Sequence, residues 1–359
     1  MVRRLWKDFQ GDIVAVPGRL LALIFFLGLS IFPLITSDSY LLRTLAFANI
    51  YAIFAVSWDL LSGYTGQINF GHALFFGVAA YTSALLNLKL GLPPWATIPI
   101  GALASVVAGL IVCLPALRLR GPYLSLVTLA FPLILLGLIF AFTKFTGGEL
   151  GISGIARIST SRVTDFYISF GVMLVSVMIM WKLTDAKSAL VRTGIIFHAI
   201  REDEIAARAS GINTIRYKLL AFAVGGFFAG IAGAFHAHFM RIAGPADLDL
   251  FLSFQAIIWT VFGGITSIYG PVVGVFIMFP LMEYLPIVLK NLQFAEEVLP
   301  NFTEIRMMIF AVIVVVILLF MPEGIAVFIR DKMEQTCPRC KLSNVWWRKN
   351  CRACGADLR

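Results

Sequence analysis

Long stretches of this chain leave no room for charge, and that fixes what it can fold into. The runs Leu20–Thr36, Leu41–Ser62, Ala73–Leu88, Trp95–Leu117, Tyr123–Phe142, Phe166–Leu183, Leu219–Phe239 and Ile305–Met321 exclude or nearly exclude ionisable residues. A helix of about 20 apolar residues crosses a bilayer core. Hydrocarbon offers no partner for free backbone groups, so such spans must be helical or form a closed barrel. A barrel would show short alternating segments instead. Composition agrees: 59% of the 359 residues are hydrophobic and 14% charged, against about 25% charged in soluble domains. The chain is predicted to be an all-α polytopic membrane protein.

The net charge of +9 sits between the apolar runs, where it sets orientation, and gives no reason to expect nucleic acid. The first run follows Arg3, Arg4, Lys7 and Arg19 like a signal peptide, but no small-residue cleavage site follows it. It is expected to be retained as a span. Residues 252–287 divide into two short helices, near 252–265 and 271–286. If both cross, about ten spans result and both termini are cytoplasmic. Most of the 29 Lys and Arg residues then fall inside, as the positive-inside rule asks. A single broken helix there would give nine spans and spoil that bias.

Two glycine-rich breaks interrupt the apolar pattern in opposite halves of the chain. The first runs from Gly63 through Gly66, Gln67, Asn69 and Gly71 to His72; the second runs from Gly263 and Gly264 to Pro271. Paired interruptions suggest a translocation path at a repeat interface. The competing reading is a tight turn or close helix contact through glycine. The longest charged stretch, about 184–216, is predicted to carry a short helix over 199–210. Glu204 and Arg208 are spaced for an i,i+4 pair, and Gly211 is placed for a left-handed C-terminal residue. Ala206, Ala207, Ala209 and Ser210 offer a small-residue surface to a partner. A solvated linker helix on the membrane is the alternative.

The stretch 199–212, Ala-Ile-Arg-Glu-Asp-Glu-Ile-Ala-Ala-Arg-Ala-Ser-Gly-Ile, resembles the coupling loop of LivM-type branched-chain amino acid permeases. Its Ala206-Ala207-x-x-x-Gly211 part is similar to the Glu-Ala-Ala loop of ABC importer permeases. The acid is displaced, since Ile205 precedes Ala206. Three further stretches look like the same family: 63–73, Leu117–Tyr123 and 263–271. Asp59 stands where the family more often carries a neutral amide. The resemblance implies a type II-like ABC importer permease fold, paired with a LivH-type second permease. It implies two cytoplasmic ATPase subunits docked on the loop, through Arg201, Glu202, Glu204, Ala206, Ala207 and Gly211. It also implies a periplasmic binding protein that delivers a branched-chain amino acid, and residence in a bacterial inner membrane. Related permeases serve urea, amides or other amino acids.

No Gly-x-x-x-x-Gly-Lys-Ser/Thr phosphate loop is present, so ATP hydrolysis is expected in other subunits, and no catalytic constellation stands out. An ion-coupled secondary transporter is the rival class; it would want intramembrane carboxylates, for which Asp59 and Glu283 are the candidates. His236 and His238, two apart, cannot share a helix face as a metal pair. Cys113 is expected to be a packing residue.

After Arg330 the composition changes, dividing a 1–330 permease domain from a 331–359 tail. Cys337, Cys340, Cys351 and Cys354 form two Cys-x-x-Cys pairs, which suit tetrahedral zinc in a small ribbon. The spacing between the pairs is shorter than usual. Redox-active and unliganded thiols are the alternatives. A tail this short would take its folding energy from the metal. With Trp346 and Trp347 among basic residues, it is expected to rest on membrane lipid or to dock a cytosolic protein, with nucleic acid a weaker option.

Overall fold

The computed structural model describes residues 17–36, 38–116, 122–185, 192–291, 311–312, 315–316, 319–321, 323–339, 343–345, 349–351 and 354–358. Helices dominate: α1 (Pro17–Ile35), α2 (Ser39–Trp58), α3 (Ala73–Leu90), α4 (Pro94–Ala116), α5 (Pro122–Ala141), α6 (Arg162–Thr184), α7 (Thr193–Glu202), α8 (Glu204–Ala209), α9 (Thr214–Met240), α10 (Leu250–Gly263), α11 (Tyr269–Asn291) and α12 (Ile325–Met333). Among the described residues, six helices are long and apolar enough to cross a membrane, and α10, α11 and part of α1 form shorter apolar helices. Most of the expected 305–321 span lies outside the described residues; 311–312, 315–316 and 319–320 are helical and Met321 is not.

α2 and α9 form the centre. Asp38 starts α2 by accepting the Tyr40 amide, and Asn213 starts α9 by accepting the Arg216 amide at 3.1 Å. α9 packs on α3 and α4, while α2 packs on α6, α9 and α11. Small residues allow this. A Cβ on Gly233 would meet the Phe76 carbonyl, and one on Gly230 would meet Ser105. In a bilayer, where lipid tails are as apolar as side chains, such close approach is what favours helix association. The few interior polar groups pair across helices: Asn49 donates to Ser169 at 3.0 Å and Ser105 to the Gly226 carbonyl at 2.8 Å. Cys113 is fully buried, as its packing role requires.

α10 and α11 lie side by side, so close that a Cβ on Gly274 would meet the Trp259 carbonyl. They form an antiparallel hairpin rather than one broken helix. At 1.5 Å per residue, the 14 residues of α10 reach only about 21 Å, short of a core about 30 Å thick. Two short antiparallel pairs complete the fold. β1 (Ile152–Ser153) with β2 (Ile242–Ala243) joins two connecting segments, and β3 (Glu334–Thr336) with β4 (Ser343–Val345) follows α12 directly.

Candidate functional site

The charged loop folds as two helices, not the single helix expected over 199–210. The chain leaves helical geometry at Asp203 (φ −154°). That residue's carboxylate accepts the Ile205 and Ala206 amides at 2.8 and 3.0 Å and opens α8. Asp at an N-cap competes with helix continuation in this way; its acidic neighbours obscured the signal.

α7 turns Gly194, Phe197 and Ile200 into the bundle, leaving Arg201 and Glu202 exposed. Glu204 ties the loop to α9: it accepts from Lys218 at 2.7 Å, Arg208 at 2.9 Å and Thr214 at 3.2 Å. Burial pushes the Glu204 carboxyl up, but the hydrogen bond and charge of Lys218, aided by Thr214 and Arg208, outweigh it and hold the group below its ordinary value. The expected Glu204–Arg208 pair is present, and Gly211 has a φ of +85°. Ala207 is buried, whereas Ala206, Ala209 and Ser210 are exposed. Ile205 is 72% exposed beside them. α8 thus presents a small apolar face to whatever docks on it.

The two glycine-rich breaks meet at this end of the bundle. α2 continues into a π-helical turn, Asp59–Gly63, which puts the wholly buried Asp59 against the second break. Its Oδ1 accepts the Thr266 amide at 2.9 Å. Thr266 has a φ of 60°, a costly conformation for a β-branched residue. A Cβ on Gly63 would collide with that same carboxylate oxygen; only glycine leaves the tie intact.

Beyond Gly63 the chain is mostly buried, with Gly66 and Ile68 exposed, and side chains of other helices satisfy several of its backbone groups, as membrane depth demands. The Phe70 amide donates to Thr128, the Ala73 amide to Ser253, and Ser125 donates to the Ile68 carbonyl. The predicted pathway side chains lie within this packing. His72 bonds Ser57 at 2.8 Å and faces Asn69 at 3.4 Å. Asn69 accepts the Gly71 amide at 2.9 Å, and Gln67 donates to Thr65 at 3.1 Å with its buried oxygen unpartnered.

Arg201 joins these pieces. A Cβ on Gly66 would lie 3.5 Å from the Arg201 Cγ. Arg201 also borders a cavity of about 340 Å³ shared with Ile265, Thr266 and Ser267 of the second break and with Glu323 and Arg330 around α12. Beside it, the His198 ring meets Tyr64 edge-on at 5.4 Å. Burial, then the Arg201 charge, holds His198 below its ordinary value. Gly264, at φ +120°, touches Val327 of α12, and Gly324 packs onto Gly264. One cluster therefore links loop, both breaks and the final helix. The Asp59–Thr266 tie escapes sequence reasoning; a lone acid in an apolar run was its only trace.

In the tail, the thiols of Cys337, Cys351 and Cys354 all lie within 4.8 Å of one another, with Cys337 and Cys354 3.6 Å apart. Zn–S bonds of about 2.3 Å in a tetrahedron put sulfurs about 3.8 Å apart, so this donor set fits a metal ion. Cys340 lies outside the described residues. The remaining expectations hold to ordinary roles. His238 bonds Ser83, Thr97 and the Ala156 carbonyl, and Glu283 accepts from Tyr40 at 3.2 Å.

Comparison with known proteins bears on the whole arrangement. The sequence model of the family described as "Branched-chain amino acid transport system / permease component" matches residues 40–324. The chain is 29% identical to the high-affinity branched-chain amino acid transport system permease protein LivM of Salmonella typhimurium, over 79% of this chain and 69% of that protein. It is also 29% identical to LivM of Escherichia coli, over 82% and 70%. The probable branched-chain amino acid transport permease protein LivH of Methanocaldococcus jannaschii is 25% identical over 65% of this chain and 76% of that protein.

Proposed function

This chain belongs to the branched-chain amino acid transport system permease family, and from that membership we propose how its geometry serves transport. It is the membrane-spanning permease subunit of an ATP-binding cassette importer. Its cargo is a branched-chain amino acid, the solute named for its relatives. About ten spans place both termini in the cytoplasm of a bacterial inner membrane. A LivH-type permease completes the pathway, two ATPase subunits dock on α7 and α8, and a periplasmic protein delivers the solute.

The observation that carries this reading is the position of Arg201. It lies against Gly66 of the first break and borders the same cavity as Thr266 of the second. ATPase closure grips the exposed face of α8 around Ile205, Ala206 and Ala209. The bonds of Glu204 to Thr214 and Lys218 pass that displacement to α9. Arg201 passes it to both breaks, around which Gln67, Asn69 and His72 supply the pathway's polar groups. Nucleotide shifts the balance of inward- and outward-open states only by its differential affinity for them; a discrepancy of about 5.5 kcal/mol is needed to reverse a 1:99 population. Loop contacts with both breaks give that energy a mechanical route.

The tail holds zinc through Cys337, Cys351 and Cys354, with Cys340 as fourth ligand; the metal supplies folding energy to a module too short to build an adequate core. It rests on lipid or docks a cytosolic protein. Charge reversal at Arg201 and Glu202, together with substitution of Gly211, tests the coupling. Uptake and stimulated ATP hydrolysis should both fall in the reconstituted importer, and survival of both through all three changes would overturn the assignment.

A further inference from the structure

At the end of the bundle opposite the charged loop lies a cluster that the coupling site does not use. Arg43 stands in the first turns of α2, Arg162 opens α6, Arg157 precedes it, and Arg241 follows α9. All four line one cavity of about 150 Å³, together with Asp165, Phe239 and Met240. The four arginines are exposed and Asp165 is half-buried. Among the described residues, none of the four arginines is in a salt bridge.

Four positive charges against one negative repel one another, so holding them together has a cost. The structure nevertheless fixes two of them. Arg43 donates to the Met240 sulfur at 3.6 Å and lies 5.5 Å from the Phe47 ring centre. Arg241 donates to the Ile155 carbonyl at 3.2 Å, from a backbone held at φ 62°. Non-glycine residues held in that region at a cost cluster at ligand sites. The first turns of α2 and α6 add their positive ends. Placed on the periplasmic side, the cluster also runs against the charge bias that orients the chain.

We propose that this cup is a holding site for a zwitterionic apolar α-amino acid on its way into the permease. The guanidiniums take the carboxylate, which they match in a planar fork. Asp165 takes the ammonium group, and Phe239 and Met240 receive the aliphatic side chain. Asp165 accepts a backbone hydrogen bond from Ser159 and lies near Arg157 and Arg162; its remaining negative charge would repel a carboxylate-only side chain of a partner protein, whereas the ammonium group of an amino acid would meet it. This inference rests on the permease reading and adds to it a site and a ligand orientation.

The test uses the assembled transporter without its delivery protein. Saturation-transfer NMR compares L-leucine with L-leucinamide, which lacks the carboxylate, and with 4-methylpentanoate, which lacks the ammonium group. Leucine should bind at least tenfold better than either. Arg157→Gln with Arg162→Gln should abolish that preference, Arg157→Lys with Arg162→Lys should partly retain it, and Asp165→Asn should bring leucine and 4-methylpentanoate level. Equal binding of all three probes to the wild type would overturn the proposal. So would variants that keep the leucine preference but lose affinity for the delivery protein, since the cup is then a docking surface. Uptake by wild-type transporter, measured separately, reports on the permease reading alone.

Discussion

Gly63→Ala puts one methyl group where the Asp59 carboxylate already stands, and the size of its effect follows from the geometry. The added Cβ overlaps Asp59 Oδ1 and lies 3.4 Å from the Thr266 nitrogen, so it displaces the acceptor of a 2.9 Å hydrogen bond. Orphaning a buried amide costs about 1–3 kcal/mol, and forcing a methyl group into filled space costs a further 1–3 kcal/mol or so. Together that gives about 2–6 kcal/mol. Asp59→Ala alone orphans the same amide, but it also removes a buried carboxylate whose second oxygen has no partner; its cost should stay at about 1–3 kcal/mol. In the Asp59→Ala background, Gly63→Ala meets no carboxylate and should be close to neutral, since alanine favours helix over glycine by about 1 kcal/mol. The double-mutant cycle should therefore show a coupling about as large as the Gly63→Ala cost itself, about 2–6 kcal/mol, measured by unfolding the assembled transporter in mixed micelles. Asp59→Asn, which keeps an oxygen acceptor, should lie within about 1 kcal/mol of wild type. Additivity of the two substitutions to within about 0.5 kcal/mol would refute the claim that Gly63 is glycine because of the Asp59–Thr266 tie.

Thr266→Gly removes the penalty of a left-handed β-branched residue and should stabilise the α10–α11 turn by about 1 kcal/mol, read in the same unfolding assay. Glu204 has its carboxyl below the ordinary 4.5, so its contribution is full above that pH and is lost as pH falls through the lower folded value. The protection of α8 amides against exchange, taken relative to the intrinsic rate at each pH, should be flat from neutral pH to about 5 and fall only in stronger acid, whereas Glu204→Gln should lower it throughout. His198 is held below its ordinary 6.5, so the folded loop prefers the neutral ring. The contact with Tyr64 should weaken as pH drops below that value, and His198→Gln should remove the dependence, followed by exchange at Tyr64. Chelation, or Cys337→Ser with Cys351→Ser, should release the metal from the purified protein and expose β3 and β4 to proteolysis while uptake persists.

Six spans among the described residues were legible because hydrocarbon leaves a chain little choice: charge must stay out and helices must form. The two helices near 252–265 and 271–286 emerged for the same reason, punctuated by glycines that strand or helix interiors reject. The Glu204–Arg208 pair and the left-handed Gly211 follow from local spacing alone. What stayed hidden was non-local. Nothing near Asp59 in the sequence points to Thr266, more than two hundred residues away, and nothing near Arg43 points to Arg162 or Arg241. Asp203 was hidden differently: its capping role depends on a backbone turn that its acidic neighbours do not announce. The polar residues of the first break were visible as residues, yet the pairing of His72 with Ser57, and of the Phe70 amide with Thr128, could be known only once α2 and α5 were in place.

Gly324 sits on Gly264 without an intervening side chain, and that bare junction has a practical side. Mass or load attached beyond α12 bears directly on the turn between two short helices. A reporter fused after α12 would press on the junction that holds α10 and α11 together. Labels for following conformational change therefore belong on the Gly147–Gly151 segment, which lies beside β1 and β2 instead.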